Sequence, residues 1–419
     1  MSEVKEREKG TRLDISHFTG RQVLELLACT RCGECIQWCP TYTQYPVDVE
    51  AERDAITPLD KITTLRSFLL GQYTGPLGRL FGHRAPDDAG LERYATGAYG
   101  CTLCGRCQVV CPVGINTREL WIAMREQLVD LDRYPAIMDH LRETVGTYHN
   151  ISGDPNETRT GWSANLAEVP ASLDRQKGAE VVYYLGCVSA FYPMVYSIPQ
   201  AFVPIMEQAG VSWTTLGGEE WCCGFPLTIA GMGADTVELA RHNVAAVREI
   251  GARTVVTACP SCYHTWRHEY PRLVGDLGFQ VVHSTEFLRD LIRAGRITLQ
   301  GFKDPITYHD PCDLGRTSGI YDAPREIIQA IPGIQFTEMQ DHHEYSLCCG
   351  GGGDVEMANA ELAQAVGQQR MLQAQETGAK MIVTACQQCK RTLLGAARRA
   401  KIRIRTIDIS ELVWRAMQG

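Results

Sequence analysis

Cys29-Thr30-Arg31-Cys32-Gly33-Glu34-Cys35-Ile36-Gln37-Trp38-Cys39-Pro40 follows the spacing C-x2-C-x2-C-x3-C-P, and Cys101-Thr102-Leu103-Cys104-Gly105-Arg106-Cys107-Gln108-Val109-Val110-Cys111-Pro112 repeats it without deviation. Three thiolates on one tight loop can cap three irons of a cube. The fourth, carried away where the proline ends the loop, reaches a second cube. The doubled run therefore predicts two cubane 4Fe-4S clusters, one on Cys29, Cys32, Cys35 and Cys111, the other on Cys101, Cys104, Cys107 and Cys39. Structural zinc also accepts thiolate quartets, but this spacing, used twice and closed by proline each time, suits it poorly. Around the runs, Arg21 to Leu27 reads as a helix delivered to Cys29, and Thr117 starts another through Leu120, Ile122, Met124 and Leu128. A mostly helical, ferredoxin-like electron-transfer domain is expected.

The chain has 419 residues and 18 cysteines, eight of them before residue 112, none from there to 186, and ten beyond. Its 44% hydrophobic and 21% charged residues are ordinary globular values, which sets disorder aside. The net charge of −8 and the lack of a basic run argue against a nucleic-acid partner. No apolar run reaches the length of a membrane span, and the start from Met1 to Lys9 is too polar for a signal peptide. A cytoplasmic protein is expected, and in a reducing compartment the cysteines are metal ligands or redox thiols rather than disulfides.

Beyond the cysteine gap the pattern changes. Val181-Val182-Tyr183-Tyr184-Leu185 reads as a buried strand, while Val237, Ala240, Val244 and Val247 step along a helix, the alternation of a three-layer α/β domain with parallel strands. This half also repeats itself: Trp221-Cys222-Cys223-Gly224 matches Leu347-Cys348-Cys349-Gly350, and Gly251 to Cys259 matches Gly378 to Cys386. The fold class is α+β multidomain: an α-helical ferredoxin-like domain at 1–145, a linker at 146–180 marked by turn chemistry, and two repeated α/β domains at 181–300 and 301–419. Each repeat supplies five cysteines, one more than a cubane needs. Adjacent cysteines diverge too far to share one tetrahedral ion, but they can bridge irons of a larger, distorted cluster.

The doubled pattern of a cysteine, a Cys-Cys-Gly and a C-x-x-C resembles the cysteine-rich CCG domains of heterodisulfide reductase. Its union with a two-cluster ferredoxin domain is similar to the D-type subunit of the membrane-linked enzyme, in which C-type and B-type subunits are fused. The resemblance covers nearly the whole chain beyond the first 20 residues. It implies an enzyme subunit whose two CCG units each hold a noncubane 4Fe-4S cluster, on Cys187, Cys222, Cys223, Cys259 and Cys262, and on Cys312, Cys348, Cys349, Cys386 and Cys389. It further implies cleavage, or formation, of a small disulfide. Four clusters are then expected, fed by a membrane cytochrome b-type or flavoprotein electron-donor partner, since no flavin, haem or nicotinamide motif appears in the chain. A seat on the inner face of the cytoplasmic membrane would follow. Both ligand sets are complete, which favours catalysis over a pure relay. His309-Asp310-Pro311-Cys312-Asp313 departs from the family's pattern, which often has His after the cysteine; His309 and Asp313 are the candidate proton-handling residues. Two other readings stand beside this one: an electron-transfer subunit of a quinone-linked 2-hydroxy-acid or glycerol-3-phosphate dehydrogenase, and a scaffold in which one CCG unit binds zinc.

Other features are expected to be quieter. Gly350 to Gly353 lacks the Lys-Ser/Thr of a phosphate cradle, so close backbone approach explains it better. The pairs His342-His343 and His264/His268 are spaced as metal ligands could be, but surface or supporting roles are expected.

Overall fold

The computed structural model describes residues 10–46 and 50–419; the polar start of the chain lies outside them. They form two compact units: one of the described residues up to His140 with Pro226–Gly233 and Gly352–Val366, the other of Leu141–Phe225, Ala234–Gly351 and Gly367–Gly419.

The first unit is helical among its described residues. Thr19 opens the helix Gly20–Ala28 with a capping box shared with Gln22, and that helix ends at Cys29. Asn116 caps Thr117–Asp130, its side-chain oxygen accepting from the Glu119 amide. These helices and Pro58–Tyr73 and Asp88–Tyr99 bury Leu65, Leu91, Leu120, Met124 and Leu128 completely. Arg125, fully buried, ties the unit together: it donates to the carbonyls of Ala98, Cys101, Ile229 and Gly353 at 2.7–3.2 Å. Its guanidinium fork thus reaches both short segments that come from far along the chain.

The second unit holds two four-stranded parallel sheets of identical order. β1 (Val181–Tyr184), β2 (Trp213–Thr214), β3 (Thr254–Thr257) and β4 (Gln280–His283) run in the order β2-β1-β3-β4; β5 (Pro305–His309), β6 (Gln335–Phe336), β7 (Met381–Thr384) and β8 (Arg405–Asp408) run β6-β5-β7-β8. In register, Val182 faces Val255 and Tyr308 faces Val383. Strands covered on both faces read as unbroken apolar runs, as all four buried residues of β1 show. The sequence repeat is therefore a repeat of topology, and the architecture is α+β multidomain. One core carries residues of both sheets, Tyr183, Val256, Tyr308 and Val383 among them. The stretch 146–180 belongs to this unit, carries the 3-10 segment Asn156–Asn165, and buries Arg159 and Trp162 fully.

Candidate functional site

The two ferredoxin-type runs fold alike. Arg31 and Leu103 both take left-handed backbone (φ 59° and 53°), as do Gly33 and Gly105 (φ 78° and 73°). A left-handed non-glycine residue costs of order 1 kcal/mol, so the same strain held at the same place twice marks a loop shape required by its ligands. One concave surface is lined by Cys29, Cys32, Cys35 and Cys111 together with Cys107, and another by Cys39, Cys101, Cys104 and Cys107. The rest of these linings, Leu59, Ile62, Val113, Pro58 and Trp121, is largely apolar, which suits converging thiolates around a cluster. Lys61, 1% exposed, lines the second and lies 4.8 Å over the Trp121 ring. Burial pushes the Cys39 thiol up, while Lys61 opposes it. A buried cation beside four thiols offsets part of the negative charge that a cluster brings. Hydroxyls of Thr41 and Thr117 lie 3.2 and 3.0 Å from Cys39 and Cys107.

In the second unit every one of the ten cysteines follows the carboxyl end of a strand, where loops of parallel sheets build sites. Cys259 and Cys386 stand at helix N-termini; Cys386 Sγ accepts from the Cys389 amide at 3.3 Å. In the first repeat, Cys262 donates to Cys223 at 3.5 Å. Hydrogen bonds from Cys222 and Cys262 pull Cys223 down to about 6, and Cys187 shares a bond with Cys222. In the second repeat, hydrogen bonds from Cys348 and Cys389, then His309, hold Cys349 well below its ordinary value. Nine of these ten thiols are buried; Cys312 is half-buried. In the first repeat all five thiols are linked side by side, more than a tetrahedral ion demands and suited to an iron–sulfur cluster. In the second, Cys348, Cys349, Cys386 and Cys389 are linked in the same way, while no described contact joins Cys312 to them.

The loop carrying Cys187 is held from below. Glu220 accepts from the amides of Leu185 and Gly186 and from Arg159, each at 2.9 Å, with Glu220 and Arg159 both wholly buried. Burial pushes the Glu220 carboxyl up against the pull of Arg159 and the two amides. Gly186 takes φ 75°, and a Cβ there would stand 3.2 Å from Cys262 Sγ. The two repeats also interlock beside their thiols. Gln387 accepts from the Ser189 amide (3.1 Å) and donates to the Leu185 carbonyl (2.7 Å), while Asp313 accepts from the Ser261 hydroxyl at 2.7 Å. The sequence offered no cue for Glu220, Arg159 or Gln387, whose roles arise from partners far along the chain.

His309 is 1% exposed, at the end of β5, and its Nδ1 accepts from Arg370 Nε at 3.0 Å. That bond leaves the proton on Nε2. The ring lies within 4.8 Å of the Cys349 and Cys389 thiols, and burial lowers its basicity. The glycine run is explained by backbone: a Cβ on Gly353 would meet the Cys101 carbonyl oxygen at 2.2 Å. No described helix is long and apolar enough to cross a membrane.

Fold and thiol sets define an iron–sulfur oxidoreductase with a helical ferredoxin-type module and a duplicated cysteine-rich module. The family descriptions agree: a 4Fe-4S dicluster domain matches residues 25–115 and a cysteine-rich domain matches 181–267 and 306–394. The D-type polypeptide of the dihydromethanophenazine:CoB–CoM heterodisulfide reductase of Methanosarcina barkeri is 38% identical, with 97% of each chain covered. The chain belongs to this D-type family of heterodisulfide reductase subunits. The "EtfAB:quinone oxidoreductase" of Syntrophomonas wolfei is 27% identical over 97% of this chain and 60% of its own length. Among solved structures, a hypothetical protein from Helicobacter pylori shares the fold, with a TM-score of 0.61 at 12% identity over 97% of this chain and 74% of its own.

Proposed function

We propose that electrons enter at two cubane clusters, held by Cys29, Cys32, Cys35 and Cys111 and by Cys101, Cys104, Cys107 and Cys39, and pass to two noncubane clusters on the paired five-cysteine sets. The clusters, when bound, supply the electrons one at a time. A small disulfide takes up two electrons and two protons and leaves as two thiols, or the reverse. The observation that carries this reading is the interlock of the two cysteine-bearing repeats in one unit, with Gln387 and the Ser261–Asp313 bond fixing one repeat against the other. Within it, Glu220 and Arg159 hold the Cys187 loop, and His309, fixed by Arg370, presents its Nε2 proton toward Cys349 and Cys389. The donor is a separate cytochrome b-type or flavoprotein partner, which seats the chain at the inner face of the cytoplasmic membrane.

The relative from Syntrophomonas wolfei, by its name a quinone oxidoreductase, favours a second reading in which the chain relays electrons and cleaves nothing. Anaerobic, chemically reduced chain mixed with a small organic disulfide decides between them. Our reading expects about two thiols released for every two electrons lost; clusters that stay reduced with no thiol formed support the relay.

A further inference from the structure

Outside the cysteine sets, Glu338, His342 and His343 place three metal-binding atoms within 4.8 Å of one another, all on half-buried side chains that a hydrated ion can reach. The two ring Nδ1 atoms lie 2.6 Å apart, a separation at which neutral imidazoles must share a proton or turn together to a cation. The group is built rather than loose. Arg325 spans Asp310 (2.7 and 3.0 Å) and Glu338 (2.7 and 3.1 Å) with two bonds to each, and Asp310 in turn accepts from the His343 amide at 2.9 Å. His343 is held in left-handed backbone at φ 52°. A buried ion pair therefore fixes both the carboxylate and the turn that presents the two rings, as supporting hydrogen bonds do at metal sites. Each Glu338 oxygen keeps a second lone-pair direction beside its bond to Arg325.

The internal repeat shows that the fold does not require this trio. At the 126-residue spacing that relates Cys222 to Cys348, the corresponding positions hold Ser212, Leu216 and Gly217, none of which supplies an imidazole or a carboxylate. The donors belong to the second repeat alone.

We propose that Glu338, His342 and His343 bind one zinc-class divalent cation, separate from the iron–sulfur clusters, with a fourth position open to water. Two imidazoles and one carboxylate match zinc's ligand preference, whereas iron–sulfur clusters take thiolates. The ion would clamp the turn that leads into Leu347-Cys348-Cys349.

The test uses the full, cluster-loaded chain, dialysed anaerobically against zinc and then against metal-free buffer, with zinc and iron counted in the same sample. Wild type should retain about one zinc per chain with iron unchanged, and His342→Gln/His343→Gln should retain none at the same iron content. A wild type that retains no zinc, or a double variant that retains as much, overturns the proposal. Should the double variant lose iron, cobalt loaded into wild type decides. Weak ligand-field bands alone support nitrogen and oxygen donors, while a strong thiolate-to-cobalt band places the ion among the cysteines and overturns the site.

Discussion

Replacing Glu220 by Gln changes no volume and removes one charge from beneath the Cys187 loop. The wild-type carboxylate uses one oxygen for Arg159 and the Gly186 amide and the other for the Leu185 amide. A glutamine can keep the first pair only by turning its own NH2 toward the Leu185 N–H, which leaves that buried donor unpaired at about 1–3 kcal/mol. The Arg159 guanidinium, wholly buried, also loses its only carboxylate partner among the described contacts. Breaking a buried ion pair from one side typically costs about 3–5 kcal/mol, and the two effects overlap, so about 3–5 kcal/mol is expected in total. Urea denaturation of anaerobically loaded protein, read by fluorescence and paired with iron analysis, measures both consequences. Glu220→Gln should lower the midpoint markedly and release about four iron atoms with the first noncubane cluster. Arg159→Met/Glu220→Gln should recover part of the midpoint, and Glu219→Gln, its half-exposed neighbour, should change neither quantity. A Glu220→Gln protein with wild-type midpoint and full iron would refute the claim that this pair holds the loop.

Three further outcomes follow from single residues. Burial pushes Asp408 up to about 7 from an ordinary 3.8, so the folded state carries an increasingly costly charge as pH rises from about 4 to 7. Asp408→Asn keeps the helix cap and should be more stable than wild type by about 1 kcal/mol or more at pH 8, with the gap narrowing below about pH 7 and closing near about pH 4; a gap that is constant with pH contradicts this. Lys61→Met should lower the potential of the cluster on Cys39, Cys101, Cys104 and Cys107 by tens of millivolts, on the order expected for a buried charge beside a cluster, and potentiometric titration reads it. Gly353→Ala forces a Cβ to within 2.2 Å of the Cys101 carbonyl oxygen at a left-handed φ of 65°, so about four iron atoms should be lost from the first unit; full iron would show that the loop yields.

Much of this was legible because it is written locally. The C-x2-C-x2-C-x3-C-P runs set their loop shape by covalent spacing, and Gly33 and Gly105 supply the left-handed turns. β1, β3 and β7 announce themselves as apolar runs between turn residues, and the 126-residue repeat foretells two sheets of one topology. Other features depend on partners that no window contains. β2 and β6 are two residues long, too short for any periodicity. Arg159 sits in a stretch rich in turn residues and looks solvated until Glu220, far along the chain, is placed against it. The glycines at 231 and 353 make sense only beside the backbone of Arg125 and Cys101. For the second-repeat histidines the spacing gives surface or supporting roles, and the Asp310–Arg325–Glu338 chain of charges beside them joins residues too far apart in sequence to be read together.

The central claim is that the paired CCG units, and not another polypeptide, cleave the disulfide. Single-turnover thiol release from chemically reduced chain tests it most directly, comparing Cys223→Ser and Cys349→Ser with Cys32→Ser. Loss of either noncubane cluster should abolish thiol release with every reductant, because two electrons are needed and no cysteine of the 18 is spare. Cys32→Ser should block the physiological donor but leave release by a small reductant acting at the CCG clusters. If Cys223→Ser and Cys349→Ser both lose their clusters and still release thiols at the wild-type rate, the account is contradicted.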